Sequence, residues 1–530
     1  MSTTLCGGHF INGQWMTSEG KPFQSINPQT GEKLPTVFHG ANPEQIAQAC
    51  ESAQIAFSKT RQLPPTQIAQ LLEQIATEIE AAGDELLQMA SHESGLPVQP
   101  RLMGERARTC GQLRLFAALV KEGDWVDARI DRPDPARTPL PKPDVRSALE
   151  AIGPVVVFDA SNFPLAFGAC GGDTASALAA GNPVIIKGHT AHPGTNELVT
   201  QAVQKALEKC NLPASFFQLL QGSGSTVGSA LVIDPRIKAV GFTGSLSGGR
   251  ALFDLAAKRP DPIPVYAEMG SLNPLVILPK AIENKTTQIA EGLAGALTLG
   301  AGQFCTRPGL IFAANCAATD SLITQIAQKL AGQKFCMLTP GIRDHFNSIV
   351  EQFATINSVK VHVAPEKSGA AGTGAFLLET DVKTFLTSPA LQEEAFGPSG
   401  LIVRFDSIHD LSSLFTLVKG TLTATIHHDA ADDTVEVAAA FSQAAQIAGR
   451  VISNGYPTGV EVCHAMVHGG PYPATSHSGF TSVGTGAIRR FARPVCYQNL
   501  PDTLLPETLR DSNPRKIFRL VDGQYTQNHS

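Results

Sequence analysis

From residue 43 to about residue 120, apolar side chains recur every three or four positions. Ile68, Leu71, Leu72, Ile75 and Ile79 are the clearest set, and the spacing predicts several amphipathic helices. Ahead of them, Phe10-Ile11 and Gln14-Trp15 flank Asn12-Gly13. That dipeptide best tolerates the positive φ angles of a two-residue hairpin, so a small β element is expected at the start. Five prolines between residues 133 and 143 then exclude a regular helix. The segment reads as a connector leading into an extended arm over 146–151.

Beyond the arm the period changes. Short apolar runs at 155–158, 184–187, 216–220, 239–242 and 265–268 alternate with helical stretches at 166–179, 195–209, 226–232 and 248–257. This is the rhythm of βαβ units in a parallel, doubly wound sheet. Lys187, the turn at 222–224, the turn at 243–244 and Glu268 fall at or just past expected C-terminal strand ends, where open α/β sheets hold their ligands. From 274 to about 470 the alternation is weaker, with a glycine-rich helix start before Cys305 and a β run at 400–405, and predicts a second α/β domain. A β-type tail at 494–500 precedes a polar end.

Length and composition narrow the class. A chain of 530 residues exceeds what one core usually organises, so two or more packed units are expected. An apolar share of 43% and a charged share of 17% describe a globular chain rather than a disordered one. Lysine and arginine total 41 against 47 acidic residues, for a net charge of −6. With no basic run, a nucleic-acid partner is not expected. The first twenty residues lack a secretory leader, and no stretch reaches the roughly 18 unbroken apolar residues of a membrane helix, so no membrane association and a cytoplasmic location are expected. Ten cysteines show neither paired metal spacing nor a dense disulfide framework. That usage fits a reducing compartment and predicts no metal site.

Several residue types could carry chemistry. Cys305 follows a glycine-rich stretch where a thiol could be exposed at a turn, although a single cysteine is more often a small buried hydrophobe. Glu268 ends an apolar strand, where burial would tune it toward a general base; an ion-paired glutamate is the plainer explanation. The side-chain amide of Asn162 could donate to a developing oxyanion, or serve only its turn. The run from Gly244 and Ser245 to Gly249 follows a strand and opens a helix, a place for a phosphate. The turn from Gly222 to Gly228 is a near miss for G-x-G-x-x-G. Lys187 ends an apolar strand, which a lysine rarely does without a partner.

Six ordered segments then match a known pattern. They are Asn27-Pro28 with Thr30-Gly31-Glu32, Asn162-Phe163-Pro164, Phe242-Thr243-Gly244-Ser245, Glu268-Met269-Gly270, Gly302-Gln303-Phe304-Cys305 and Glu394-Ala395-Phe396-Gly397-Pro398. Together, from about residue 10 to residue 501, the chain resembles the aldehyde dehydrogenase superfamily. The resemblance implies an α/β fold with a parallel doubly wound cofactor domain at 1–137 and 157–273. It further implies a second α/β catalytic domain at 274–470, and a β oligomerisation arm at 138–156 and 484–505 that builds a homodimer or homotetramer. It implies Cys305 as nucleophile, Glu268 as general base, and Asn162 with the Cys305 backbone N–H as oxyanion donors. NADP or NAD would be held by Lys187, Thr190, Gly228, Gly244, Ser245, Gly249, Glu394 and Phe396.

Two departures stand out: the segment after Glu268 reads Met269-Gly270-Ser271-Leu272-Asn273 rather than a glycine pair followed by lysine, and Glu268 lies 37 residues before Cys305. Segments such as His468-Gly469-Gly470-Pro471-Tyr472-Pro473 resemble the subgroup of 2-oxoglutarate semialdehyde dehydrogenases and an NADP-dependent fatty aldehyde dehydrogenase. Thr190 stands where many NAD-preferring relatives carry glutamate, which implies that NADP is accepted. The helix at 104–117 resembles the one beside the substrate tunnel and offers Arg106, Arg108 and Arg114. Arg108 is the expected carboxylate anchor and Phe163 a tunnel wall. The alternatives are ion pairs with Glu105 or the oligomer partner for the arginines, a fatty aldehyde as substrate, transfer of the acyl group to coenzyme A, and a non-enzymatic member.

Overall fold

The computed structural model describes residues 5–364 and 367–529. One seven-stranded sheet runs, in spatial order, Val265–Glu268, Ala239–Thr243, Val155–Phe158, Val184–Lys187, Phe217–Leu220, His9–Ile11 and Gln14–Met16. The first five strands are mutually parallel, and the N-terminal hairpin adds an antiparallel edge. At the hairpin tip Asn12 and Gly13 have φ of 46° and 86°, the two positive angles expected there. Because the parallel strands are covered on both faces, each is apolar at nearly every position. Val155 and Val157 pack with Leu72, Leu113, Phe116 and Val203, whereas Val156 and Phe158 pack with Val227, Leu231, Leu252 and Ala256.

Chain order reverses between Val155–Phe158 and Ala239–Thr243. That makes the crevice above their C-terminal ends the topological switch point. The helix expected at 166–179 begins only at Gly172. Residues 164–171 form tight turns instead, and a Cβ on Gly168 would stand 2.0 Å from the Pro164 carbonyl oxygen.

A second seven-stranded sheet runs Lys360–Val363, Phe376–Asp381, Ser399–Phe405, Leu310–Ala314, Leu275–Ile277, Thr421–His427 and Ala448–Ser453. All pairs are parallel except the first. Its own apolar core includes Leu293, Ile311, Ile326, Leu377 and Leu401.

A third sheet joins Ala492–Gln498, Val145–Ala151, Arg129–Asp131, Arg519–Val521 and Gln524–Thr526. The tail strand therefore starts two residues earlier than its pattern predicts, and the polar end is not a simple tail. It returns as a hairpin anchored by Arg519, which is fully buried and donates to the carbonyls of Arg510, Asp511 and Asn528. Within a stretch that reads only as a polar end, this guanidinium is satisfied by backbone acceptors, which composition cannot reveal. No helix among the described residues is long and apolar enough to cross a membrane.

Candidate active site

Helix Pro279–Thr298 ends in the turn Leu299–Gly302, where Gly300, Ala301 and Gly302 have φ of 57°, 58° and 67°. The glycine-rich stretch is thus a helix exit rather than a start, and its left-handed residues turn the chain so that Cys305 follows in a loop. A Cβ on Gly302 would stand 2.3 Å from the carbonyl of Gly397, so this loop lies hard against the segment carrying Glu394 and Phe396.

Asn273 secures the loop from below. Its amide donates to the carbonyls of Cys305 at 2.7 Å and Arg307 at 3.0 Å, and its Oδ1 accepts from Ser271 at 2.7 Å and from the Thr423 hydroxyl at 3.0 Å. The departure at 271–273 therefore builds a buried polar knot beneath Cys305.

Glu268 ends its strand with the side chain 3% exposed, and that of His468 is 1% exposed. His468 Nε2 lies 3.0 Å from Glu268 Oε1 and 3.5 Å from Cys305 Sγ. Ser482 donates to the other carboxylate oxygen at 2.6 Å. Burial alone would raise the Glu268 carboxyl, but the His468 and Ser482 contacts outweigh it and hold the group below its ordinary value. Burial and the neighbouring Glu268 push the Cys305 thiol well upward, and Arg108 pulls the other way. Sequence reasoning placed no chemistry on His468 or Ser482. The one available signal was the unusual His468-Gly469-Gly470 segment.

Asn162 donates its amide to the Gln303 carbonyl at 3.0 Å, which places it beside the Cys305 loop. Arg101 donates to the Asn162 carbonyl at 2.9 Å and pairs with Glu105 at 2.8 Å. Glu105 in turn accepts the amides of Leu165 and Ala166 at 2.8 and 2.9 Å. The predicted ion pair of Glu105 is thus made by Arg101.

A small cavity opens onto Cys305 and His468, lined also by Arg108, Phe163, Phe167 and Val460. Arg108 stands 6.0 and 5.6 Å from the ring centres of Phe163 and Phe167. Its Nε and Nη2 have no hydrogen-bond partner. Burial lowers its pKa, against the pull of Cys305 and Glu105. Arg106 and Arg114 are spent elsewhere, on the Gly83 carbonyl and on Glu80.

The second group of expected residues collects at the switch point. Lys187 is buried and donates to the Gly188 carbonyl at 3.0 Å, which uses one of its three protons. Burial lowers its pKa to about 8, against the attraction of Asp159. Ser245 caps helix Leu246–Ala257 by accepting from Gly248 N at 3.1 Å, and Leu246 and Ser247 beside it are exposed while Gly248 is half-buried. Gly228, Gly244 and Gly249 are required by packing, since a Cβ at each would lie 2.6 Å from Phe158, Phe242 or Met269. Thr190 is half-buried. Glu394 lies against Gly270, where a Cβ would meet its carboxylate at 2.4 Å, and burial, opposed by Arg307, raises its pKa to about 7.

Comparison with known proteins gives the family and the fold. Residues 15–472 match the profile of the Aldehyde dehydrogenase family. The chain is 48% identical over 523 residues to alpha-ketoglutaric semialdehyde dehydrogenase 2 of Azospirillum brasilense, covering 98% of this chain and 99% of that protein. It is 43% identical over 527 residues to alpha-ketoglutaric semialdehyde dehydrogenase of Acinetobacter baylyi, with the same coverage. An NAD+ complex of aldehyde dehydrogenase from Bacillus cereus shares the fold, with a TM-score of 0.79 at 20% identity over 93% of this chain and 96% of that one. The chain belongs to the aldehyde dehydrogenase family, and it is an oxidoreductase that oxidises an aldehyde with a nicotinamide dinucleotide.

Proposed function

We propose that the enzyme oxidises 2-oxoglutarate semialdehyde to 2-oxoglutarate, with Cys305 as nucleophile. Arg108 carries this reading. An unpartnered guanidinium in the cavity of a reactive thiol is costly unless the substrate brings an anion. A 2-oxo acid with an aldehyde at its far end supplies both groups, whereas a fatty aldehyde leaves Arg108 without a partner. The semialdehyde dehydrogenases that share near-full-length identity support the same substrate.

The proton path follows from one nitrogen. His468 Nε2 faces both the thiol and Glu268, and a ring nitrogen donates or accepts but cannot do both in one protonation state. Passing the thiol proton to His468 leaves a thiolate beside an imidazolium already paired with Glu268. The thiolate adds to the aldehyde carbon, and the oxygen takes up charge within reach of the Asn162 amide and the Cys305 N–H. The nicotinamide dinucleotide, when bound, supplies the acceptor for the aldehyde hydride. Glu268 then accepts a proton from water, whose oxygen bonds the thioester carbon as the C–S bond breaks. His468 returns a proton to the departing thiolate.

The switch-point residues fit a dinucleotide. Lys187 has two protons free for ribose hydroxyls, and the helix capped by Ser245 begins at the exposed residues Leu246 and Ser247, whose end would suit a phosphate. Glu394 and Phe396, on the catalytic side, would hold the same dinucleotide. Thr190 favours acceptance of NADP, because no carboxylate there repels a 2′-phosphate. Residues 1–137 and 157–273 are assigned to cofactor binding and 274–470 to catalysis. Residues 138–156 and 484–505 are assigned to self-association as a homodimer or homotetramer. No described strand pairs with the outer edge of Ala492–Gln498, and an open edge is a template for another chain.

Initial rates of reduced-cofactor formation with NAD and NADP, against the semialdehyde and against long aliphatic aldehydes, test the proposal. A higher kcat/KM for the semialdehyde is expected; a strong preference for long neutral aldehydes overturns it. Cys305→Ala should abolish turnover and leave cofactor binding intact.

A further inference from the structure

We infer that Cys305, His468 and Glu268 also form a binding site for a thiophilic divalent cation of the Zn2+ class, and that its occupancy reversibly switches the enzyme off. One thiol sulfur, one imidazole nitrogen and one carboxylate oxygen lie within 4.8 Å of one another. A tetrahedral ion with the usual bond lengths to sulfur, nitrogen and oxygen sets its ligand atoms roughly 3.3–3.6 Å apart. Two edges here, His468 to Cys305 at 3.5 Å and His468 to Glu268 at 3.0 Å, fall near that range, and the third is at most 4.8 Å, so closing around an ion takes a side-chain shift of no more than roughly 1 Å.

The surroundings favour retention. Glu268 and His468 are buried, and Ser482 fixes the carboxylate from behind at 2.6 Å, as outer hydrogen bonds do at built metal sites. Three protein ligands leave a fourth position, toward the cavity lined by Phe163 and Phe304, where water or an anion completes the tetrahedron. Arg108 lines the same cavity and its charge opposes a cation. Two anionic ligands, the Cys305 thiolate and the Glu268 carboxylate, more than offset that single charge. The ligand set is wrong for Mg2+ or Ca2+, which take oxygen donors.

Binding is a proton exchange without redox change. The ion forms a bond to Cys305 sulfur, the thiol proton leaves to solvent, neutral His468 offers its Nε2 lone pair, and Glu268 is already a carboxylate. The cation site rests on geometry alone. Inhibition rests in addition on Cys305 being the nucleophile, since the ion occupies the electron pair that must attack.

The test uses the full-length protein. Co2+ serves as the spectroscopic probe, through thiolate-to-metal charge-transfer absorption, and Zn2+ as the calorimetric one. Expected are one ion per chain, loss of activity that a chelator restores, and no effect of Mg2+. The Co2+ band should vanish in Cys305→Ser, and Ser482→Ala should weaken Zn2+ binding about 10- to 100-fold. Absence of the band, or a band unchanged in Cys305→Ser, overturns the site. Binding at Cys305 with activity undiminished leaves the cation site standing and overturns the assignment of Cys305 as nucleophile.

Discussion

Ser482 donates to Oε2 of Glu268 at 2.6 Å, on the side of the carboxylate that His468 does not touch. Burial pushes the Glu268 pKa up and these contacts more than reverse it. Ser482→Ala should therefore raise the pKa, and the acid limb of the pH profile for thioester hydrolysis should move to higher pH. The rate well above that limb should change little. A profile measured in pre-steady-state acid release that does not shift would show that Ser482 does not tune Glu268.

Glu268→Gln keeps the shape and removes the proposed base. A single burst of reduced cofactor should precede steady-state turnover slowed about 10²- to 10⁴-fold. Stopped-flow absorbance checks this, and a wild-type steady state would assign water activation to another group.

As the proposed carboxylate anchor, Arg108 would distinguish an anionic substrate from a neutral one. Arg108→Ala should lower kcat/KM for the semialdehyde about 10- to 150-fold, the value of a charge-assisted hydrogen bond. A neutral aldehyde of similar length should be affected far less. Equal losses on both substrates would remove Arg108 as the carboxylate anchor.

Thr190→Glu places a carboxylate where a 2′-phosphate would lie. The ratio of NADP to NAD binding, read by quenching of protein fluorescence as well as by rate, should fall. An unchanged ratio would move cofactor choice away from residue 190.

Asn273 holds the carbonyls of Cys305 and Arg307 from a backbone at φ 48°. Asn273→Ala leaves those groups unsatisfied and should cost about 1–3 kcal/mol or more in urea unfolding. Activity at low temperature should fall as well, because the nucleophile loop loses its support. Full stability would mean that water replaces both bonds.

The four-residue strands Val155–Phe158, Val184–Lys187 and Val265–Glu268 were legible as apolar runs, because a strand covered on both faces is apolar at nearly every position, here up to a terminal lysine or glutamate. The hairpin at Asn12-Gly13 was legible because its turn depends on local backbone angles. The helix expected from residue 166 starts later because Glu105, about 60 residues away in the chain, takes the amides of Leu165 and Ala166. Period alone cannot report that contact.

By itself, then, the sequence determined the alternation of strands and helices, the doubly wound sheet, and the family to which Cys305 and Glu268 belong. These are signals carried by neighbouring residues and ordered motifs. Tertiary structure alone decided that His468, 200 residues from Glu268, and Ser482, 214 residues away, flank its carboxylate. It also decided that Arg108 alone of the three candidate arginines faces the cavity, since Arg106 and Arg114 find partners on the preceding helices. Helical spacing sets which direction a side chain leaves its helix. What stands there to meet it depends on how distant segments pack, and that packing has no local signature.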